Sequence, residues 1–116
     1  MNNRERGAKG ERIALAYMEQ QGYMLLEKNF RAERCEIDLI LEQGDALVFV
    51  EVKARSGSGY GFGREAVTAA KQRNIITGAQ AYLLQTDRFE ADIRFDVLEV
   101  DLLTEKVEHI KNAFTL

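Results

Sequence analysis

Hydrophobic residues recur with two different periods along the chain, and each period predicts one type of secondary structure. A spacing of three or four residues near the N-terminus, closed by Gly22, predicts a first helix, and a similar spacing past the middle predicts a second. Apolar runs bounded by turn residues predict strands. The predicted helices span 4–21 and 64–85, and the predicted strands span 23–30, 36–42, 46–54, 94–100 and 107–110.

The order of these elements, α-β-β-β-α-β with a short final strand, is typical of an α/β fold. Short connections join the first three strands, which predicts an antiparallel meander. The sequence contains no proline, and its 116 residues suit one domain, spanning 1–116, with one hydrophobic core.

Composition narrows the classes of function. No apolar run approaches the about 18 residues that a membrane span needs, and the N-terminal residues are polar, so we expect a cytoplasmic protein that does not enter a membrane. The single cysteine, Cys35, cannot form an internal disulfide, and with one histidine it gives little support to a zinc site. The net charge of -3 counts against a protein that coats nucleic acid, although metal-binding acids can coexist with a local basic rim.

The segment EIDLILEQGDALVFVEVKA predicts a hairpin whose charged residues converge. A two-residue turn at Gly44 and Asp45 places Asp38 opposite Glu51. Side-chain alternation then separates the charged residues from a wholly apolar face. One predicted face carries Glu36, Asp38, Ile40, Phe49, Glu51 and Lys53, and the other carries Ile37, Leu39, Leu41, Val48, Val50 and Val52.

The predicted neighbours Asp38 and Glu51 require a compensating positive charge. Two carboxylates about 5 Å apart repel by roughly 3 kcal/mol at an effective dielectric of about 20. Lys53 is one candidate for the compensating charge, and a divalent cation is the other. Mg²⁺ takes one or two carboxylates and completes its shell with water and phosphate oxygens, which points to phosphate chemistry. Charged residues at strand ends are also commonly solvated, and Glu36 opposite Lys53 fits an ordinary cross-strand pair.

The first helix contributes a further carboxylate. Ala14 and Met18 lie four residues apart on its apolar stripe, and steps back along this stripe reach Glu11 and Gly7. Glu11 is therefore predicted to point toward the edge of the core, beside the charged end of the hairpin.

Glu51-Val52-Lys53 after an apolar strand, with Asp38 on the preceding strand, resembles the PD-(D/E)XK signature of the restriction-endonuclease-like nucleases. Over nearly its whole length the chain also resembles the bacterial YraN-like family, commonly described as predicted endonucleases similar to archaeal Holliday junction resolvases. This resemblance implies a restriction-endonuclease-like core with a mixed central sheet flanked by helices. The blocks that carry it are GAKGERIALAYM, NFRAERCEIDLI, LVFVEVKAR, AVTAAKQRNI, RFDVLEV and HIKNAF.

The resemblance implies a metal-dependent endonuclease that hydrolyses phosphodiester bonds in DNA. Asp38 and Glu51 match the acids that bind Mg²⁺ or Mn²⁺, and Lys53 matches the catalytic lysine. Glu11 matches the helical acid, which would complete or tune the metal site. The implied partner is DNA, with branched DNA in repair or recombination and a homodimer among the expectations. Cys35 departs from the glycine that usually precedes Glu-Ile-Asp in the family.

Four basic residues are candidates for nucleic-acid binding, although a solvated helix face explains them equally well. The segment SGSGYGFG lacks the ending of a P-loop, so a mobile loop beside the active site or a plain connection fits it better. Asp96 is interpreted as a hydrogen-bonding residue near a strand end, with a supporting role in the site left open. The main alternative function is a non-catalytic module that binds nucleic acid or protein and retains the fold. The basic candidates are Arg55, Arg64, Lys71 and Arg73.

Overall fold

A computed structural model describes residues 1–56 and 67–116. The helices and strands within these two ranges follow the predicted order, with the final strand at the end. In chain order they are α1 Asn3–Gln20, β1 Met24–Ala32, β2 Cys35–Gln43, β3 Ala46–Arg55, α2 Ala69–Thr86, β4 Asp92–Asp101 and β5 Val107–Phe114.

The strands of the described ranges form a five-stranded sheet in the order β1-β2-β3-β4-β5. β3 and β4 pair in parallel and the other neighbours pair antiparallel, so the sheet is mixed. α2 packs on one face of this sheet and α1 packs on the other. The predicted α/β fold, with a mixed sheet flanked by helices, is confirmed. Neither helix in the described ranges has the length and apolar character that crossing a membrane requires.

The main differences from the predicted bounds concern α2 and β5. Thr68 is extended, with ψ of 164°, and its side chain accepts a hydrogen bond from Lys71 N, so it caps a helix that begins at Ala69. The predicted start at Arg64 is therefore wrong. β5 continues to Phe114, four residues past its predicted end. Most of the glycine- and serine-rich segment predicted as a loop, residues 57–63, lies outside the described residues.

Each face of the sheet carries its own hydrophobic core. Beneath α1, the stripe residues Ala14 and Met18 are fully buried, as predicted. Gly10 allows this helix to approach β3 closely, because a Cβ there would lie 2.7 Å from Ala54 Cβ. The close approach holds the start of α1, and with it Glu11, against the charged end of β3. The core beneath α2 includes Ile40, Phe49, Ile75, Ala79, Tyr82 and Phe95.

Side-chain alternation along β2 is interrupted at Asp38. The pairing of β1 with β2 passes over Asp38 and its neighbour Asn29, and Asn29 has a left-handed backbone with φ of 50°. Ile37 consequently packs beneath α2, whereas Leu39 and Leu41 pack beneath α1. The prediction that these three residues share a face is wrong, because strict alternation does not continue through the irregularity.

Candidate active site

The two strands of the β2–β3 hairpin separate where the charged residues begin. Their backbone pairing runs from Gln43–Ala46, beside the predicted two-residue turn, to Leu39–Val50. Beyond that point Asp38 Oδ2 accepts a hydrogen bond from Val52 N at 2.8 Å, so a side chain occupies the place where a backbone carbonyl would continue the pairing. We call this opening, formed by Asp38 and residues 51–53, the fork.

Glu51 is buried at the fork, with 4% of its surface exposed. Its Oε2 lies 3.3 Å from Lys53 Nζ and 3.5 Å from Lys71 Nζ, so ammonium groups from β3 and α2 hold the same oxygen. Its Oε1 is also buried and has no hydrogen-bond partner among the described residues. A buried oxygen in that state costs free energy, so a proton or a cation beside it would stabilise the site.

Asp38 lies close to Glu51, which is the charged group with the largest effect on its pKa. Burial, and next the negative charge of Glu51, raise the pKa of Asp38 to about 8, although the bond from Val52 N opposes this shift. In the absence of metal and near neutral pH, the Asp38 carboxyl group therefore holds a proton. The prediction that they are close neighbours is confirmed.

Asp38 and Glu51 reach the fork from different sides of the sheet. Asp38 lines a cleft beneath the start of α1, whereas Glu51 contacts Lys71 of α2. The prediction that both carboxylates project from one face is wrong, since the irregularity in β2 interrupts the alternation on which it depended. Side chains from both faces therefore meet at this end of the sheet.

Glu11 approaches the fork from α1, as predicted. It is half-buried and lines the same cleft as Asp38. Burial raises the pKa of Glu11, while a hydrogen bond from the Asn29 side chain opposes the shift, and the charge of Glu51 adds to it. Within the described ranges, no three His, Cys, Asp or Glu side chains form a group that could hold a metal ion.

Two predicted neighbours of the site have other surroundings. Glu36 Oε2 accepts a hydrogen bond from Arg31 Nε at 2.7 Å, whereas Lys53 pairs with Glu51, so the predicted pair of Glu36 with Lys53 is wrong. Cys35 is buried, and its Cβ lies 3.6 Å from the position that a Cβ on Gly78 would take. The thiol therefore fills space between β2 and α2.

The predicted nucleic-acid-binding residues divide into three groups. Lys71 contacts the fork through Glu51, and Arg55 Nε lies 3.5 Å from Glu99 Oε1 on β4. Arg73 is exposed on α2. Arg64 lies outside the described residues.

Sequence reasoning missed two polar residues of the cleft beneath α1. Asn3 and Arg6 line it, and Arg6 Nη2 donates to Ser56 Oγ at 3.4 Å. The signal that could have found them is the helical stripe through Glu11 and Gly7, because residues one turn further back lie along the same side of the helix. We call this space, of about 370 Å³, the α1 cleft; its lining residues are Asn3, Arg6, Gly7, Glu11, Asp38, Val52 and Ala54.

Asp96 lies on β4 opposite Val50, in a fully bonded network of its own. It is wholly buried, and Arg94 donates to both of its oxygens at 2.8 Å. His109 Nε2 lies 2.6 Å from Oδ2, and Asn112 N donates to Oδ1 at 2.9 Å. Burial alone would raise the pKa of Asp96, but the bonds from His109, Arg94 and Asn112 outweigh it and lower the pKa. Arg94 also donates to the hydroxyl of Tyr23.

Comparison with known proteins identifies the family. The model of a family described as "Uncharacterised protein family UPF0102" matches residues 10–100, a range that includes Glu11 and the whole fork. The chain belongs to the UPF0102 family. This membership confirms the YraN-like resemblance at the level of the family, whereas the family's description specifies no reaction.

Relatives in the UPF0102 family match over nearly their full length. The UPF0102 protein of Clostridioides difficile (strain 630) is 43% identical over 114 residues, covering 98% of this chain and all of the relative. That of Geobacter sulfurreducens is 41% identical over 118 residues, covering 99% and 92%. That of Chlorobium chlorochromatii is 46% identical over 118 residues, covering 95% and 91%.

Proposed function

We propose that this UPF0102 protein is a divalent-metal-dependent nuclease that hydrolyses phosphodiester bonds in DNA. The observation that supports this proposal is the incomplete bonding of the fork. Glu51 Oε1 is buried without a hydrogen-bond partner among the described residues, beside Asp38, whose pKa is raised to about 8. Such a pair favours a cation that neutralises both carboxylates, and perturbed acids of this kind cluster at functional sites.

The residues at the fork fit Mg²⁺ or Mn²⁺. Asp38 and Glu51 offer hard carboxylate oxygens, and Glu11 is a third candidate ligand from the α1 cleft. Two protein carboxylates suffice for Mg²⁺ when water and substrate phosphate complete the shell. When bound, the cation would polarise the scissile phosphate and lower the pKa of a bound water.

The protein's own groups have separate tasks in this proposal. The hydrogen bond from Val52 N fixes the orientation of the Asp38 carboxylate. Lys53 is half-buried and held to Glu51, where its ammonium group can orient the attacking water and stabilise charge that develops on the phosphate. Lys71 supplies a second ammonium group to the same carboxylate oxygen and keeps Glu51 in place.

The distribution of charge supports an anionic substrate at the fork despite the net charge of -3. Arg6, Lys53, Arg55 and Lys71 lie near the fork, and a bound divalent cation would offset the charges of the acids there, Glu11, Asp38 and Glu51. Many of the acids lie elsewhere. A hollow of about 680 Å³ near the β2–β3 turn is lined by one arginine and by Glu42, Asp45, Asp87, Glu90 and Asp92. Branched DNA as the substrate and a homodimer as the active form are expectations from the family resemblance.

A cleavage assay with Mn²⁺ tests the proposal. Wild-type protein should cut at least one member of a panel of linear and branched DNA substrates, and chelation of the metal should stop the reaction. Asp38→Asn and Glu51→Gln should lose at least about 100-fold in rate because each removes a metal-binding charge. Lys53→Met should also stop cleavage while leaving metal binding intact, because the lysine is not a ligand.

The alternative, a non-catalytic binding module, gives a different result in the same assay. A wild-type protein that binds DNA equally well with and without Mn²⁺, and cuts no substrate in the panel, would replace the nuclease proposal with that alternative. RNA versions of the same substrates belong in the panel, since phosphodiester hydrolysis at the fork does not by itself distinguish the two sugars.

A further inference from the structure

The α1 cleft joins the fork but extends beyond it. Its lining includes Asp38 and Glu11 near the fork, and Asn3 and Arg6 from the first turn of α1. Charge therefore changes from negative to positive along the cleft. A space with that gradient suits a polyanion whose near end meets a metal held by the acids and whose next segment meets the basic group.

Arg6 has hydrogen-bonding capacity to spare. A guanidinium group has five N–H donors, and within the described residues one of them goes to Ser56 Oγ across a long contact of 3.4 Å. The remaining N–H donors lie in one plane, in a geometry that matches two phosphate oxygens. The contact with Ser56 also holds Arg6 beside the end of β3, close to the strand that carries Glu51 and Lys53.

The spacing along α1 fits one strand of nucleic acid. Arg6 and Glu11 are separated by five residues, or about 7.5 Å along the helix axis. Phosphates follow one another at about 3.4 Å per nucleotide along the axis of a duplex strand. A strand that runs parallel to α1 from a phosphate at the fork would therefore bring a phosphate about two nucleotides away beside Arg6.

We propose that the α1 cleft is a subsite for the phosphate one or two nucleotides from the cut, with Arg6 as the group that binds it. This inference rests on the proposed nuclease function and adds the path of the substrate strand, which leaves the fork along the first turns of α1. Asn3, in the first turn of α1, lines the cleft and supplies a neutral hydrogen-bond donor.

Gly7 offers a test that does not depend on removing a charge. A Cβ at this position would meet no atom within 4 Å, and Gly7 lines the α1 cleft, so a side chain added there would take up space in the cleft. Gly7→Leu should raise the melting temperature, because leucine favours a helix more than glycine does. It should weaken DNA binding at least about fivefold because it fills the subsite. A structural defect would instead lower both stability and affinity.

Arg6→Ala and Arg12→Ala form a matched pair on the same helix. Arg12 lines a different cleft, next to Ile13 and Tyr17, and serves as the control. Binding is measured with a fluorescent DNA substrate that the wild type cuts, in a Lys53→Met background with Mn²⁺, over a range of salt concentrations. Arg6→Ala should weaken binding about fivefold to tenfold and reduce the slope of log affinity against log salt by about 0.7 to 0.9. Arg12→Ala should leave that slope unchanged.

The outcomes separate the subsite from the function on which it rests. If the wild type cuts DNA but Arg6→Ala and Gly7→Leu bind and cut like the wild type, the α1 cleft is only a solvated space and the nuclease proposal stands. If Arg12→Ala reduces the salt slope as much as Arg6→Ala, the contribution of Arg6 is a general effect of charge and the subsite is wrong. A wild type that neither binds nor cuts any substrate overturns both proposals.

Discussion

Asp38 on β2 and Asp96 on β4 lie in the same sheet, and their surroundings shift their pKa values in opposite directions. Asp96 receives hydrogen bonds from a guanidinium, an imidazole and a backbone N–H, and its pKa is lowered. Asp38 receives one backbone hydrogen bond and faces a second acid, and its pKa is raised to about 8. Burial acts on both, so the difference comes from their partners.

Asp96 has the surroundings of an acid that stabilises the fold, whereas those of Asp38 suit an acid that binds a ligand. The network of Asp96 joins β4 to β5 and, through Arg94, to Tyr23, so its charge is fully used inside the protein. The pair of Asp38 and Glu51 leaves one buried oxygen unpartnered within the described residues. In the same sheet, both oxygens of Asp96 have hydrogen-bond partners. The unpartnered oxygen at the fork therefore points to a site for a ligand.

Replacing each aspartate by asparagine gives the largest expected contrast. Asp96→Asn should lower the free energy of unfolding by about 3 to 5 kcal/mol, because removing one member of a buried ion pair leaves the other charges without compensation. Asp38→Asn should be neutral or stabilising at pH 8, since it removes a repulsion and keeps an oxygen that can accept from Val52 N. Urea denaturation of both variants measures the contrast, and equal losses would remove the distinction.

Mn²⁺ should stabilise the folded protein by binding at Asp38, and Asp96 should take no part in this effect. Mn²⁺ at about 100 times its dissociation constant should raise the free energy of unfolding of the wild type by about 2.7 kcal/mol. The gain should grow between pH 6 and pH 8.5, because the cation must displace the proton that Asp38 holds with a pKa of about 8. Thermal melts of the wild type and Asp38→Asn give the measurement. A gain of the same size in Asp38→Asn would place the metal elsewhere.

The pH dependence of stability should have opposite signs for the two acids. The folded pKa of Asp38, about 8, exceeds its ordinary value of 3.8, so its contribution is fully present below about pH 4 and is lost as the pH rises toward 8. For one proton the slope is at most about 1.4 kcal/mol per pH unit. Asp96, with a lowered pKa, contributes above pH 3.8 and loses that contribution as the pH falls further. Denaturation without metal from pH 4.5 to 8.5 should show stability declining less steeply in Asp38→Asn than in the wild type.

Lys71 provides the smallest expected effect on stability. Its ammonium group is partly exposed, so Lys71→Met should change the free energy of unfolding by no more than about 1 kcal/mol. The cleavage rate should fall by more than this small change in stability explains, because Glu51 loses one of the two ammonium groups that hold its Oε2. Lys71→Arg should restore part of the rate. Arg73→Met, an exposed position on the same helix, is the control and should leave the rate unchanged.

Much of the fold and the centre of the candidate site follow from local signals in the sequence. The turn at Gly44 and Asp45 determines the hairpin pairing, and that pairing brings Asp38 close to Glu51. The apolar stripe of α1 correctly predicts that Glu11 approaches the same end of the sheet. These signals act over short distances along the chain, where periodicity and turn chemistry are informative.

The remaining features depend on contacts between distant segments. Asn29 on β1 has a left-handed backbone beside Asp38 on β2, and Ile37 packs beneath α2; an alternating pattern carries no sign of this irregularity. The partners of Glu51 and Asp96 include residues that are far away in the chain, such as Lys71 and His109. Charged residues in a sequence do not specify which of several possible partners they will contact. The partners of Glu51 and Asp96 therefore could not be predicted from the sequence.

The most direct test of the account is the stoichiometry of Mn²⁺ binding at pH 8.5 in the wild type, Asp38→Asn and Glu51→Gln. Electron paramagnetic resonance of free Mn²⁺ during a titration counts the bound ions. All three proteins, including the wild-type reference, also carry Lys53→Met, so that a short DNA substrate can be present uncut and its phosphate can complete the shell. If Asp38 and Glu51 hold a metal ion at the fork, binding there should be saturable, and both acid variants should abolish it. Equal Mn²⁺ binding in the wild type and in both acid variants would contradict it.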